Sequence, residues 1–271
     1  MPWPACVRSE HFRAGAEGCF IELAHGGLQG ASRHVVLVHG LGGGATRPYM
    51  ARAARTFGRA GFAVTGLGLR RDLAGCHRYH MGLYQDIELA LGALHASADE
   101  IYLLGFSGGG SVVLNFLARS SMARRVRAAA CLSAPLDLSA VAAFVESEGA
   151  AFYHRHLVRG LGARVASLTE YDERVLVPDF GFANAAQYRT TMSAGPELSR
   201  IATRTLLIES ADDPVVPARL NDAYASGRPD NISRIVTSRG GHIGWVQSLA
   251  AFARGETWAL KRVCSFFTSL A

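Results

Sequence analysis

The first feature that could do chemistry is a serine held between glycines. Residues 105–109 read Gly-Phe-Ser-Gly-Gly with Ser107 at the centre; an apolar run precedes them and a helix-like segment follows. A serine on such a tight strand-to-helix turn has a strained backbone and needs small neighbours, and the helix N-terminus directs partial positive charge at its hydroxyl. Glycine-rich turns also occur without catalysis, so the strand and helix on either side are what favour Ser107 as a nucleophile.

A glycine-rich loop follows an earlier strand and could stabilise a negative oxygen. Residues 39–44 read His-Gly-Leu-Gly-Gly-Gly after the run HVVLV. The backbone N–H groups of Leu41 and Gly108 are the expected oxyanion-hole donors. The alternatives are a plain flexible loop or a phosphate-binding loop, and the latter is disfavoured because no lysine follows the glycines. His39 itself is interpreted as structural.

The acid and the base come after the last two predicted strands. Asp212 and Asp213 follow RTLLIES, and His242 lies among glycines after ISRIVTS. Asp213 is favoured as the acid that orients the histidine because it stands before the Val-Val-Pro segment, while either aspartate could instead cap a helix at 217–225. The chain order serine, aspartate, histidine distinguishes this arrangement from those of other hydrolase folds.

Strands and helices alternate along the chain, which predicts an α/β fold with a mostly parallel central sheet flanked by helices. Predicted strands are 34–38, 62–66, 100–106, 126–133, 204–210 and 232–238. Predicted helices are 48–60, 83–95, 107–120, 218–227 and 257–270. Because the carboxyl ends of parallel strands share one edge of the sheet, the chemistry-bearing residues should meet there.

The alternation stops after Pro135 and resumes near residue 204. We therefore expect residues 1–138 and 201–271 to form the core domain and residues 139–200 to form a helical cap, inserted after the sixth-strand region. Aromatic side chains of this cap could line a pocket for an acyl group or pack the cap onto the core. They are Phe144, Phe152, Tyr153, Tyr171, Phe180, Phe182 and Tyr188.

Composition narrows the class of protein. Of 271 residues, 49% are hydrophobic and 18% are charged, which is typical of a packed domain. The net charge of +6 comes from arginines spread along the chain, with Lys261 the only lysine, so nucleic acid is not the expected partner. Five cysteines without a CxxC pair argue against zinc and favour a reduced, cytoplasmic setting. No apolar segment is long enough for a signal peptide or a membrane span.

Several longer segments resemble the YheT-like, or EMB8/ABHD-type, branch of the α/β-hydrolase superfamily. They are VLVHGLGGGATRPYM, RYHMGLYQDI, GFSGGGSVVLNFLAR, LSAPLDL, YDERVLVPDFGFANAAQY, ADDPVVP and GGHIGW. The resemblance implies an α/β-hydrolase fold, esterase, lipase-like or acyl-transfer chemistry, and a catalytic triad of Ser107, Asp213 and His242. Gly108 stands where the family more often has a larger apolar residue, so we expect extra room beside the oxyanion hole.

These observations predict a serine esterase that acts on a small-molecule ester or acyl substrate through an acyl-enzyme, without a metal or organic cofactor. An acyltransferase or thioesterase would use the same triad, and a peptidase is a weaker alternative. A haloalkane dehalogenase is disfavoured because it needs an aspartate at position 107. A non-catalytic binding protein that kept the fold is the alternative from another class, and homodimer formation is left open.

Overall fold

The structure, a computed structural model, describes residues 9–15, 18–28, 30–94, 100–148 and 151–270. Within these residues, eight strands form one sheet in the order β1-β2-β4-β3-β5-β6-β7-β8. Their bounds are β1 Ser9–Arg13, β2 Phe20–Gly27, β3 Arg33–Val38, β4 Ala63–Arg71, β5 Glu100–Phe106, β6 Val126–Leu132, β7 Arg204–Ser210 and β8 Ile232–Thr237.

The sheet is parallel from β4 to β8, and β2 pairs antiparallel with both β1 and β4. Each of the six predicted strands overlaps an observed one, which confirms the predicted fold class. Because β3 and β5 are central, the loop after β3 and the turn after β5 meet at the carboxyl edge of the sheet. This edge also receives the loops after β7 and β8.

Helices cover both faces of the sheet. The helices are α1 Pro48–Arg59, α2 Gln85–Ala93, α3 Gly108–Arg119, α4 Leu138–Ala143, α5 Ala151–Gly160, α6 Leu168–Tyr171, α7 Val177–Phe180, α8 Ala185–Met192, α9 Asp222–Ala225, α10 Leu249–Ala253 and α11 Trp258–Thr268. Successive residues of one strand enter opposite clusters: Val36 faces the side of α2 and α3, and Val35 faces the side of α1 and α11. Central strands are therefore apolar on both faces, which explains their unbroken hydrophobic runs.

The predicted helix at 218–227 is mostly absent. The chain instead forms a 3₁₀ turn at Ala218–Asn221 and the single turn α9. The fully buried Asn221 side chain donates to Ala134 O and to Glu209, and it accepts from Leu136 N. These tertiary hydrogen bonds fix residue 221 in place and override the local helical pattern.

Only helices and helical turns lie between β6 and β7 in the residues that the structure describes. They are α4 to α8, two π-helical turns at Phe144–Glu148 and Asp172–Leu176, and a 3₁₀ turn at Gly195–Arg200. Asp137 caps α4 by accepting from Ala140 N at 2.9 Å. The position and helical content agree with the expected cap, whereas its existence as a separate domain remains a prediction. No described helix is long and apolar enough to cross a bilayer.

Candidate active site

Ser107 sits on the sharp turn between β5 and α3 with φ 51° and ψ −126°, a strained conformation for a non-glycine residue. Its N–H donates to Leu132 O at 2.8 Å, which ties the turn to β6. A Cβ on Gly105 would lie 2.5 Å from the Cα of Gly110, and one on Gly109 would overlap the backbone after β3. Strand and helix can therefore approach this closely only with glycine at both positions.

Three side chains from three different loops meet in a hydrogen-bonded line. His242 Nε2 lies 2.9 Å from Ser107 Oγ, and His242 Nδ1 lies 3.0 Å from each carboxylate oxygen of Asp213. With Nδ1–H donating to Asp213, Nε2 is left to accept the serine proton. The arrangement can thus transfer a proton from Ser107 to an imidazole whose cation is stabilised by the carboxylate.

Asp213 is buried yet held ionised by its hydrogen bonds. Its Oδ1 accepts from Val215 N at 2.8 Å and from Val216 N at 2.9 Å. Burial by itself would raise the pKa of this carboxyl, but the contact with His242 and the two backbone N–H groups bring the pKa below its ordinary value. The carboxylate is therefore charged at neutral pH, as an acid that orients a histidine must be.

Asp212, the competing aspartate, contacts the loop that carries His242. Its Oδ1 accepts from Ser210 Oγ at 2.5 Å and from the N–H groups of Gly240 and Gly241 at 2.8 Å each. The Ser210 hydroxyl and these N–H groups hold the Asp212 pKa below its ordinary value. The two neighbours thus differ in position: Asp213 contacts the imidazole, and Asp212 anchors the backbone just before it.

Ser133 and Trp245, for which the sequence predicts no role, position the histidine loop. The Trp245 indole N–H donates to Thr237 Oγ1 at 2.9 Å, and its ring takes the space that a side chain on Gly240 would need. Ile243, directly after the histidine, donates its N–H to Ser133 Oγ at 3.4 Å. Both residues lie in segments that resemble the family, LSAP and GGHIGW. That resemblance is the sequence signal that could have pointed to a role at the site.

The loop after β3 is fixed by the ring of His39. Its Nδ1 donates to Gly40 O at 2.7 Å, and its Nε2 accepts from Leu69 N at 3.0 Å. Burial lowers the pKa of His39 to about 3, so the ring is neutral. Tyr79 adds a hydroxyl donor to the same Gly40 O at 3.3 Å, and Tyr49 OH accepts from Gly40 N at 3.0 Å. His39 therefore makes structural contacts, as it was interpreted.

The two expected oxyanion donors are neighbours. A Cβ built on Gly108 would lie 3.5 Å from Leu41 N. Among the described residues, neither of these two N–H groups donates to an acceptor. The same Cβ would lie 2.5 Å from Met81 Sδ, so the space beside Gly108 is occupied by Met81. The expectation of extra room at this position was wrong, because a side chain from the segment before α2 fills it.

An apolar cavity of about 80 Å³ opens beside Ser107 and extends under the cap helices. Its aliphatic wall includes Leu138, Val141, Val145, Leu157, Leu168 and Leu176. Of the seven cap aromatics considered, only Tyr171 and Tyr188 line it. Phe180 and Phe182 instead pack against His80, and Phe152 is 67% exposed. The described residues contain no group of three or more His, Cys, Asp or Glu that could hold a metal ion.

Comparison with known proteins agrees with the fold. The model of the Alpha/beta hydrolase family matches residues 35–254. The chain belongs to the Alpha/beta hydrolase family.

Among curated proteins, the chain is 27% identical to YheT of Escherichia coli, over 93% of this chain and 82% of that protein. It is 26% identical to the Monoacylglycerol lipase of Saccharomyces cerevisiae, over 62% of this chain and 42% of the lipase. It is 24% identical to the Embryogenesis-associated protein EMB8 of Picea glauca, over 85% and 57%. The chain thus spans less than two thirds of the length of the lipase and of EMB8.

Solved structures agree on the fold. The Pyrococcus furiosus esterase Pf2001 superposes with a TM-score of 0.63 at 15% identity, covering 97% of this chain and 92% of that one. The mouse alpha/beta hydrolase domain-containing protein 10 gives a TM-score of 0.67 at 13% identity, covering 97% and 100%.

Proposed function

We propose that this protein is a serine hydrolase that cleaves carboxylic esters, with Ser107 as nucleophile, His242 as general base and Asp213 as the acid that orients it. The observation that carries the proposal is the continuous hydrogen-bonded line from Asp213 through His242 to Ser107, with 3.0 and 2.9 Å steps. Relatives named Monoacylglycerol lipase and Phospholipase ABHD3, both under 30% identical, support an ester substrate.

The reaction runs in two halves. His242 Nε2 takes the Ser107 proton while Oγ attacks the ester carbonyl, and Asp213 stabilises the imidazolium that forms. The N–H groups of Leu41 and Gly108 donate to the oxyanion, each contributing roughly 3–4 kcal/mol by analogy with other oxyanion holes. His242 then protonates the leaving alcohol. Water, deprotonated by the same imidazole, attacks the acyl-enzyme; the bond from the acyl carbon to Ser107 Oγ breaks, His242 returns the proton to Oγ, and the acid is released.

The apolar cavity is where we place the acyl chain. A water-sized group needs roughly 10–15 Å³ of such space, so about 80 Å³ accommodates a chain of roughly six atoms. Most of its aliphatic wall comes from residues of the expected cap, 139–200. In this proposal, the cap determines which acyl-chain length is preferred, and the core domain carries the catalytic residues.

Labelling with a fluorophosphonate probe tests the nucleophile. Wild type and the control Ser121→Ala, which changes an exposed serine, should be labelled, and Ser107→Ala should not. A p-nitrophenyl ester series from acetate to laurate should then give its highest kcat/KM near the hexanoate. A folded wild type that resists the probe, or a Ser107→Ala variant that is labelled equally, would contradict the proposal.

One relative favours a second reaction at the same site. The chain is 25% identical to the yeast Medium-chain fatty acid ethyl ester synthase/esterase 2, over 86% of this chain and 61% of that protein. An alcohol that attacks the acyl-enzyme in place of water would give acyl transfer. Product analysis in water with and without ethanol separates the two reactions. A hydrolase gives free acid, whereas a transferase gives a fraction of ethyl ester well above the mole fraction of ethanol in the solvent.

A further inference from the structure

One ion pair lies in the wall of the otherwise apolar acyl cavity. Asp172, in the second π-helical turn, accepts from Arg189 Nε of α8 at 2.7 Å. Both residues line the cavity, and their side chains are only 10% and 12% exposed. Desolvating two charges beside leucine and valine side chains is costly, and well-packed apolar residues usually stabilise such a position as well or better. Stability alone therefore does not account for this pair.

The pair has hydrogen-bonding capacity that the described residues leave unused. The Arg189 contact is the only hydrogen bond that Asp172 accepts among them, through Oδ2, so Oδ1 remains an acceptor. Arg189 donates through Nε to Asp172 and through Nη2 to Thr169 Oγ1 at 2.9 Å, so Nη1 remains a donor. Burial raises the pKa of Asp172 to about 6, even though the contact with Arg189 lowers it.

The unused acceptor and donor together suit a neutral group that can both donate and accept, and a hydroxyl is the smallest such group. A hydroxyl can donate to Asp172 Oδ1 and accept from Arg189 Nη1 at the same time. A second carboxylate would be repelled by Asp172, and an ammonium group would be repelled by Arg189. A saturated chain packed against this pair would take water away from its charged atoms and offer no hydrogen bond in exchange, which is unfavourable.

We propose that the cavity binds an acyl chain that carries a hydroxyl group, and that Asp172 and Arg189 are the specificity-determining pair that recognises it. This inference rests on the proposed ester hydrolysis and adds its substrate class. The substrates are then esters of short hydroxy acids, with the hydroxyl several carbons from the carbonyl.

Matched substrates test the inference. The p-nitrophenyl esters of 6-hydroxyhexanoate and 7-hydroxyheptanoate are compared with their isosteres, heptanoate and octanoate, in which a methyl replaces the hydroxyl. Wild type should prefer at least one hydroxy ester over its isostere by about tenfold in kcat/KM, since a hydrogen bond to a charged group is being made or lost. Fluorophosphonate labelling is measured first, so that the absence of a reactive nucleophile is distinguished from the absence of a preference for hydroxy esters.

Variants distinguish recognition of the substrate hydroxyl from a purely structural role of the ion pair in the cap. Asp172→Asn should reduce the hydroxyl preference to about threefold or less, because a neutral amide makes a weaker hydrogen bond than a carboxylate. Asp179→Asn, which breaks a cap ion pair with Arg78 outside the cavity, should keep the full preference. The double variant Asp172→Leu with Arg189→Met should reverse the preference towards the alkyl esters, and its apolar pairing protects folding. If wild type prefers the alkyl esters, or if the tenfold preference survives in Asp172→Asn, the inference is overturned.

Discussion

Gly108 and Met81 should be energetically coupled through the oxyanion hole. An alanine Cβ at position 108 would lie 2.5 Å from Met81 Sδ and 3.0 Å from Met81 Cε, where ordinary contact begins at 3.4 Å. The overlap of about 1 Å pushes the flexible methionine into the acyl cavity that it lines. The same Cβ lies 3.5 Å from Leu41 N, beside the place where the oxyanion forms.

The magnitude follows from two opposing terms. Overpacking costs about 1–3 kcal/mol, while replacing a helical glycine by alanine returns up to about 1 kcal/mol. Gly108→Ala should therefore lower the free energy of unfolding by no more than about 3 kcal/mol. Its kcat/KM should fall by about 10- to 100-fold, because loss of a whole oxyanion donor costs about 100- to 1000-fold and the Gly108 donor is crowded rather than lost.

A double-mutant cycle measures the coupling. The kcat/KM for p-nitrophenyl hexanoate is determined for wild type, Gly108→Ala, Met81→Ala and the double variant, with thermal unfolding of each as the control. Removing the Met81 side chain should restore the double variant to within about threefold of Met81→Ala alone. If the two losses simply multiply, the methionine is not the obstacle and the reasoning fails.

Two further predictions concern charge at the site and in the core. Asp213→Ala should lower kcat by about 10⁴-fold because the imidazole loses its orienting acid, whereas Asp212→Ala should lower it by only about tenfold by loosening the loop; equal losses in steady-state assays would contradict this division. Burial lowers the pKa of His80 to about 3. Below pH 6.5 the His80 imidazole therefore binds a proton in the unfolded chain but not in the folded chain. Stability should therefore fall with pH from 6.5 downwards, and His80 should contribute about 2 kcal/mol of that fall at pH 5. Urea unfolding between pH 5 and 7 should show a shallower dependence in His80→Asn, whose side-chain oxygen can still accept from Gly82 N; an unchanged slope would count against the assignment.

The central strands and the chemistry-bearing loops were predictable because their signals are local. The turn around Ser107 needs glycine on both sides wherever it occurs, and the buried parallel strands give short unbroken apolar runs. The strands β1 and β2 were missed because β1 is a short, partly exposed edge strand, and pairing with β4 rather than a local pattern holds β2 in place.

Features that depend on contacts between distant parts of the chain could not be predicted from the sequence. Met81 is far along the chain from Gly108, and only the fold brings its sulfur into the space that a Cβ would need. Asp172 and Arg189 are 17 positions apart on separate helical segments, so neither spacing nor periodicity links them to a cavity. The choice between Asp212 and Asp213 followed from a family-like segment; their different contacts appear only in three dimensions.

The strained backbone of the described residues is concentrated at one edge of the sheet. The non-glycine residues there with positive φ are Ser107, Ser133, Ile243 and Trp245, at 51°, 51°, 55° and 43°. Each such residue costs on the order of 1–3 kcal/mol unless its surroundings hold it. Backbone hydrogen bonds provide that support: Ser107 N donates to β6 at 2.8 Å and Ser133 N to β7 at 2.9 Å. The strained turns at Ser107 and Ser133 are therefore tied to the neighbouring strands, and the sheet fixes the turn whose hydroxyl lies 2.9 Å from the imidazole before any substrate arrives.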